Sequence, residues 1–239
     1  MPYFYGIDST YLLLVLPCIL FSMLASASVN STFKKYSKQR SARGITGAQA
    51  AQRVLSSNGV MNVRIEKVAG ELTDHYDPRT NVIRLSDSVY NDTSTAAIGV
   101  ACHEAGHAVQ YAKNYGPIKL RAAIVPMVNI GSRLAIPLIL IGLLLSAFAA
   151  FSDTIVYLGI ACFGLTFLFQ LITLPVEFNA SRRAIAAIEE AGLLTKDEQK
   201  GAKSTLRAAA MTYVAATAVA LAQLLRLIVL FGGRNRRRN

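Results

Sequence analysis

The sequence predicts a mainly α, multi-pass helical membrane protein with a small α+β region set between its spans. Three observations carry this reading. Charged residues make up 16% of the 239-residue chain and hydrophobic residues 53%, whereas a soluble domain carries about 25% charge. Four apolar stretches are long enough to cross a bilayer at ~1.5 Å rise per residue. Between the first two lie short, partly alternating, β-branched segments with strand periodicity.

The first span is expected at residues 11–29. Asp8 is the only charge before it, and Lys34, Lys35, Lys38, Arg40 and Arg43 follow it. A secretory leader has the opposite order, so this reads as a retained anchor with its N-terminus outside and the next loop in the cytoplasm. Thr46-Gly-Ala-Gln49 is a capping box opening a short helix that Gly59 ends. Residues 60–68 and 81–85 read as strands, joined by a polar connection, 70–80, that contains Asp74 and His75. Residues 94–114 read as a helix, with Asn91 to Ser94 as N-cap candidates and Gly116-Pro117 as the stop. The second span is placed at 134–151, with an earlier start at 122–130 as the alternative, and the third at 154–176. Only Ser152 and Asp153 separate them, which makes a tight hairpin.

After the third span, residues 177–210 form a second polar segment. A helix ends near Gly192, and Thr195-Lys-Asp-Glu198 is a capping box for a long helix that becomes the fourth span, 211–231. That span contains Arg226, too costly in lipid to face it, so it should turn inward or snorkel from a helix end. The basic tail with Arg234, Arg236, Arg237 and Arg238 suits a lipid surface. The chain is thus read as one domain, 1–239, with cytoplasmic segments 30–121 and 177–210. An even number of crossings separates these segments, so both lie on one side of the membrane. Four full spans would put the basic tail outside, against the positive-inside tendency; the twelve basic residues in 30–120 outweigh it.

Net charge is +11, which in a membrane protein reflects cytoplasmic loops and anionic lipid rather than nucleic acid. No nucleic-acid motif accompanies it. Cys18, Cys102 and Cys162 are odd in number and irregular in spacing, so no disulfide framework is expected. Cys102 is read as a small packed residue, with a fourth ligand or a redox switch as the alternative.

One motif states its chemistry. His103-Glu104-Ala105-Gly106-His107 places two imidazoles four residues apart, on one face of the 94–114 helix. Glu104 falls beside them. This H-E-x-x-H pattern supplies two zinc ligands and a general base. A catalytic zinc takes a third protein ligand, for which His75 and Glu177 are the candidates. Glu177 would complete a gluzincin-type His, His, Glu set; a carboxylate at a helix start is the alternative. His75 could instead donate to an oxyanion, or be a plain turn residue. An active peptidase and a non-catalytic membrane scaffold with a structural zinc site both remain open. Intact Glu104 favours the first, because a purely structural site needs no base.

The segments His-Glu-Ala-Gly-His-Ala-Val-Gln (103–110), Leu-Thr-Asp-His-Tyr-Asp-Pro (72–78), Pro-Val-Glu-Phe-Asn-Ala-Ser-Arg-Arg-Ala (175–184) and Met-Thr-Tyr-Val-Ala-Ala (211–216) together resemble the bacterial membrane neutral zinc metallopeptidases, the YugP-like family. The resemblance covers about residues 5–231. It implies one Zn2+ per chain on His103 and His107, a multi-pass protein of the bacterial plasma membrane, and a peptidase acting on proteins or peptides, membrane proteins among them. The Glu-Phe-x-Ala segment also looks like the third-ligand segment of the CAAX prenyl proteases, which favours Glu177. The family pattern favours an acidic residue at 179, where this chain has Asn179. Asn179 and Ser181 are candidates to hydrogen-bond the ligands. Tyr213 is a candidate oxyanion donor or, more simply, a helix-packing residue. The implied mechanism uses Glu104 as base, with His75 or Tyr213 steadying the oxyanion and the site at the cytoplasmic membrane face.

Overall fold

The structure is a computed structural model that describes residues 8–147 and 151–232. The basic tail from Arg234 and residues 148–150 of the expected second span lie outside the described residues. The described chain forms a π-helical turn Tyr11–Val15 leading into α1 (Leu16–Tyr36), then α2 (Gly47–Ser57), β1 (Arg64–Val68), β2 (His75–Asp77), β3 (Val82–Ser86), α3 (Thr95–Ala112), α4 (Gly116–Leu144), a short 3-10 turn, α5 (Ser152–Glu190) and α6 (Gln199–Phe231). Among the described residues four helices are long and apolar enough to cross a membrane: Tyr11–Tyr36, Gly116–Leu144, Ser152–Glu190 and Gln199–Phe231. This is the mainly α, multi-pass architecture that the composition implies.

The chain divides into two compact units. The first gathers residues up to Leu24, Leu120–Leu174 and the chain from Tyr213. Its apolar side chains face outward: Leu13, Met23, Ile136, Leu144 and Val229 are each more than half exposed. In water such a surface would be an association hazard; in lipid it is the expected one. Glycines let α4 and α5 approach closely, since a Cβ on Gly159 would stand 2.8 Å from the Ala135 carbonyl. Arg226 is buried, with Nη2 2.7 Å from Asp8 Oδ2 and its guanidinium over the Tyr11 ring. It faces inward, and the pairing offsets the cost of a cation among apolar helices.

The second unit comprises Ala25–Lys119 and Pro175–Thr212. Its three-stranded sheet has the order β1-β3-β2. β1 pairs parallel to β3, with Ile65 opposite Ile83, and β2 pairs antiparallel, with Tyr76 opposite Ile83. The apolar β3 is the centre strand, and both polar strands are edges. The core joins Val54 and Leu55 of α2, Ile83 and Leu85 of β3, Ile98 and Val109 of α3, and Ile188 of α5. Both capping boxes form. Thr46 and Gln49 exchange hydrogen bonds at α2, as do Thr195 and Glu198 before α6.

Four local expectations are corrected. The strand expected over 60–68 begins only at Arg64, because Val60 and Val63 are drawn into the core instead. The connection 70–80 is not all turn; His75 opens β2, whose backbone is recruited by β3 despite its polar side chains. The stop of α3 is Asn114 in the left-handed region (φ 55°), with Tyr115 N–H closing on the Gln110 carbonyl at 2.9 Å. Gly116-Pro117 instead opens α4, where proline is tolerated in the first turn. Pro175 does not begin a new helix. It lies inside the 39-residue α5, so Glu177 is mid-helix and not at a helix N-terminus. Proline removes one backbone hydrogen bond, which side-chain packing in a long helix can override.

Candidate metal centre

α3 supplies two of the three converging side chains. Ser94 caps it, accepting from Ala97 N–H at 3.2 Å, and its body is so poor in bulk that fourteen of its residues are buried. Gly106 is the point of closest approach: a Cβ there would stand 2.8 Å from the Ala180 carbonyl of α5. With no side chain between the backbones, α5 lies against the histidine face of α3.

The result is a cluster of His103, His107 and Glu177 whose ligand atoms all lie within 4.8 Å of one another. His103 Nε2 is 3.2 Å and His107 Nε2 3.5 Å from the same Glu177 oxygen. The two imidazoles stand edge to face, 4.7 Å between centroids. Glu177, His107 and Glu104 are buried. The outer nitrogens are engaged as well. His103 Nδ1 is 3.2 Å from Ser181 Oγ, and His107 Nδ1 is 3.0 Å from Gln110 Oε1. Burial opposes a positive charge on His107. The Glu177 hydrogen bond, the Glu104 and Glu177 charges and Gln110 outweigh it, and the proton affinity of His107 is raised. A cluster that draws a proton to the buried His107 also draws a cation.

The donor set therefore fits zinc: two imidazole Nε2 atoms and one carboxylate oxygen, from separate helices, converge in a buried, negatively charged spot. Cys102, on α3, is fully buried in the apolar core, where burial pushes its thiol up.

The remaining expected residues are distributed unevenly. Ser181 touches His103. Asn179 does not touch a histidine; its Oδ1 accepts from Gln110 Nε2 at 3.0 Å and from Arg183 Nε at 2.8 Å. His75 is exposed at the start of β2 and donates to the Thr73 carbonyl at 2.8 Å, outside the cluster. Tyr213 belongs to the other unit, where its carbonyl accepts from Thr217.

Two residues near the centre were not singled out from sequence. Gln110 is fully buried, and its place three residues after His107, on the same helical stripe, is the available signal. Asp74 accepts from Ser86 N–H at 2.8 Å and Ser86 Oγ at 2.9 Å. Burial, with Glu104 nearby, pushes its carboxyl up against those hydrogen bonds. Its polar surroundings in sequence gave no hint of burial.

A family model described as "Putative neutral zinc metallopeptidase" matches residues 11–232. The "Putative membrane protease YugP" of Bacillus subtilis (strain 168) is 46% identical over 221 residues, covering 92% of this chain and 96% of that protein. No solved structure matches. With nearly its whole length matched and a zinc-type donor set assembled, the chain belongs to the neutral zinc metallopeptidase family.

Proposed function

We propose that this membrane protein is an endopeptidase of the H-E-x-x-H type in the bacterial inner membrane, with His103, His107 and Glu177 holding one zinc ion and Glu104 as general base. The observation that carries the proposal is the convergence of both Nε2 atoms on Glu177 with Glu104 buried beside them. Zinc held there supplies a Lewis acid for polarising the scissile carbonyl and acidifying water. Glu104 takes a proton from the attacking water and later delivers it to the departing amine. Burial of Glu104 among the ligands keeps that proton from being lost to solvent. Among the described residues β2 is an edge strand paired with β3 alone, and an extended peptide can add on its other side as a further strand. His75, the first residue of β2, would lie alongside it.

The cytoplasmic membrane face is the proposed location. Glu177 follows Ser152 by 25 positions, about 38 Å along α5 at 1.5 Å per residue, beyond the ~30 Å hydrocarbon core. The basic residues of 30–120 favour the cytoplasmic side. Proteins or peptides near the bilayer are the substrates this location offers.

The test is Glu104→Gln in proteoliposomes, with zinc content and cleavage of a fluorogenic peptide library measured together. Zinc should be retained and cleavage should fall by about 10²–10⁴-fold. Cleavage at the wild-type rate would overturn the assignment.

A further inference from the structure

Gln110 meets the proposed metal centre only through His107, and every polar atom of its side chain is committed. Nε2 donates to the Val176 carbonyl at 2.8 Å and to Asn179 Oδ1 at 3.0 Å. Oε1 stands 3.0 Å from His107 Nδ1. The residue is fully buried, so water does not substitute for a partner.

The direction of these bonds is forced from one end. A backbone carbonyl only accepts, and an arginine Nε only donates. Val176 O therefore requires the amide NH2 of Gln110 on its side. Arg183 Nε requires the oxygen of Asn179 on its own side, and that oxygen then needs the same NH2 of Gln110. Both constraints turn Gln110 Oε1 toward His107. An amide oxygen only accepts, so the hydrogen between them belongs to His107 Nδ1. Nε2 faces the Glu177 carboxylate, which accepts its proton in the metal-free fold; with Nδ1 already committed to Gln110, loss of that proton to an incoming cation leaves the lone pair of His107 on Nε2.

We propose that Gln110 is a positioning residue that fixes the tautomer and ring orientation of His107 for metal binding, taking its own orientation from the Val176 carbonyl and the Asn179–Arg183 pair on α5. The inference rests on the proposed metal site and adds to it the residue that makes His107 a ligand rather than a donor. It also accounts for Asn179. Position 179 needs an acceptor for two donors, which asparagine supplies through one oxygen and an acidic residue would supply equally. The same bonds tie α3 to the turn of α5 that carries Glu177, so one amide both prepares the second imidazole and holds the carboxylate helix against it.

The experiment has a direct arm and a variant arm, both on the full-length chain in detergent. In the zinc-loaded wild type, nitrogen–proton NMR correlations of the histidine rings should show His107 protonated at Nδ1, the nitrogen that faces Gln110. A bound His107 with its proton on Nε2 and none on Nδ1 would overturn the inference, whatever the enzyme's activity. In the variant arm, zinc affinity is measured by chelator competition, with metal-free Tm as the check on folding. Gln110→Met keeps length and loses the hydrogen bonds; zinc affinity should fall about 10–100-fold. Asn179→Leu, which removes the acceptor, should lose affinity in the same direction, and Asn179→Asp, which restores it, should not. A purely structural role for Gln110 would lower Tm in Gln110→Met while zinc affinity stayed at the wild-type value, and that result would also overturn the inference. Failure of the metal site itself has a different signature: His107→Ala would then bind zinc as wild type does.

Discussion

α3 carries two imidazoles four residues apart on an 18-residue helix bounded at both ends, whereas α5 brings its one carboxylate of the cluster, Glu177, from far along a 39-residue helix that begins as an apolar span. The two imidazoles are brought together by helix geometry alone, and any sequence that forms this helix keeps them adjacent. The carboxylate joins them only because Gly106 lets the two backbones close and because Gln110 bridges to the Val176 carbonyl. The pair is thus a local product and the triad a tertiary one. Stability of the pair depends on caps and helix propensity; stability of the triad depends on one close approach.

The comparison can be broken at several strengths. Glu177→Ala tests it most severely. The local pair survives, yet zinc affinity should drop by more than the ~100-fold typical of a supporting residue. Equilibrium dialysis giving wild-type affinity would mean that the helical pair suffices. Gly106→Ala leaves every ligand in place but sets a methyl against the Ala180 carbonyl. It should destabilise the fold by about 1–3 kcal/mol, as overpacking does, and weaken zinc binding as α5 is pushed away. Gly99→Ala, whose Cβ would meet Ala202 Cα at 3.2 Å, is the milder control on the opposite contact and should spare zinc.

Acid sharpens the same contrast. The proton affinity of His107 is raised above its ordinary value of 6.5. In the metal-free fold, the stability this contributes is fully present below the unfolded pKa and is lost as pH rises through the folded value. Zinc needs the neutral ring, so its contribution runs the other way. The unfolding free energy gained on adding zinc should therefore shrink as pH falls below the folded pKa of His107, by about 1.4 kcal/mol per pH unit for each proton displaced. A gain independent of pH would contradict proton competition at the site. The smallest effect belongs to the purely local side: Ser94→Ala removes the cap of α3 and should cost about 1 kcal/mol in chemical denaturation, with zinc affinity unchanged.

What could be read from sequence follows the same division. The four spans, both capping boxes and the His103–His107 pair depend on neighbours in the chain, and each is present. Local patterns misplaced the features decided elsewhere. His75 looked like part of a turn because a three-residue edge strand has no periodicity to show; β3 makes it a strand. Pro175 and the end of the apolar window suggested a boundary, but α5 continues, and that continuation sets the face on which Glu177 lies. Gln110 was not marked because an amide carries no reactivity of its own; its importance lies in what it accepts and donates across 66 residues of sequence to Val176. The Asn179 departure, which suggested an altered partner for a histidine, proves to concern a residue one hydrogen bond further out.

The interleaving of the two units constrains any attempt to obtain the metal-binding part without detergent. Its segments, Ala25–Lys119 and Pro175–Thr212, are separated in the chain by the whole α4–α5 hairpin, and the second begins inside a helix. Trimming either terminus cannot release it, because removing residues 120–174 from the N-terminal side also removes His103 and His107, and removing them from the C-terminal side also removes Glu177. A water-soluble version requires excision of residues 120–174, a new connection from Lys119 to Pro175, and a fresh N-terminal cap for the helix that Pro175 would then begin.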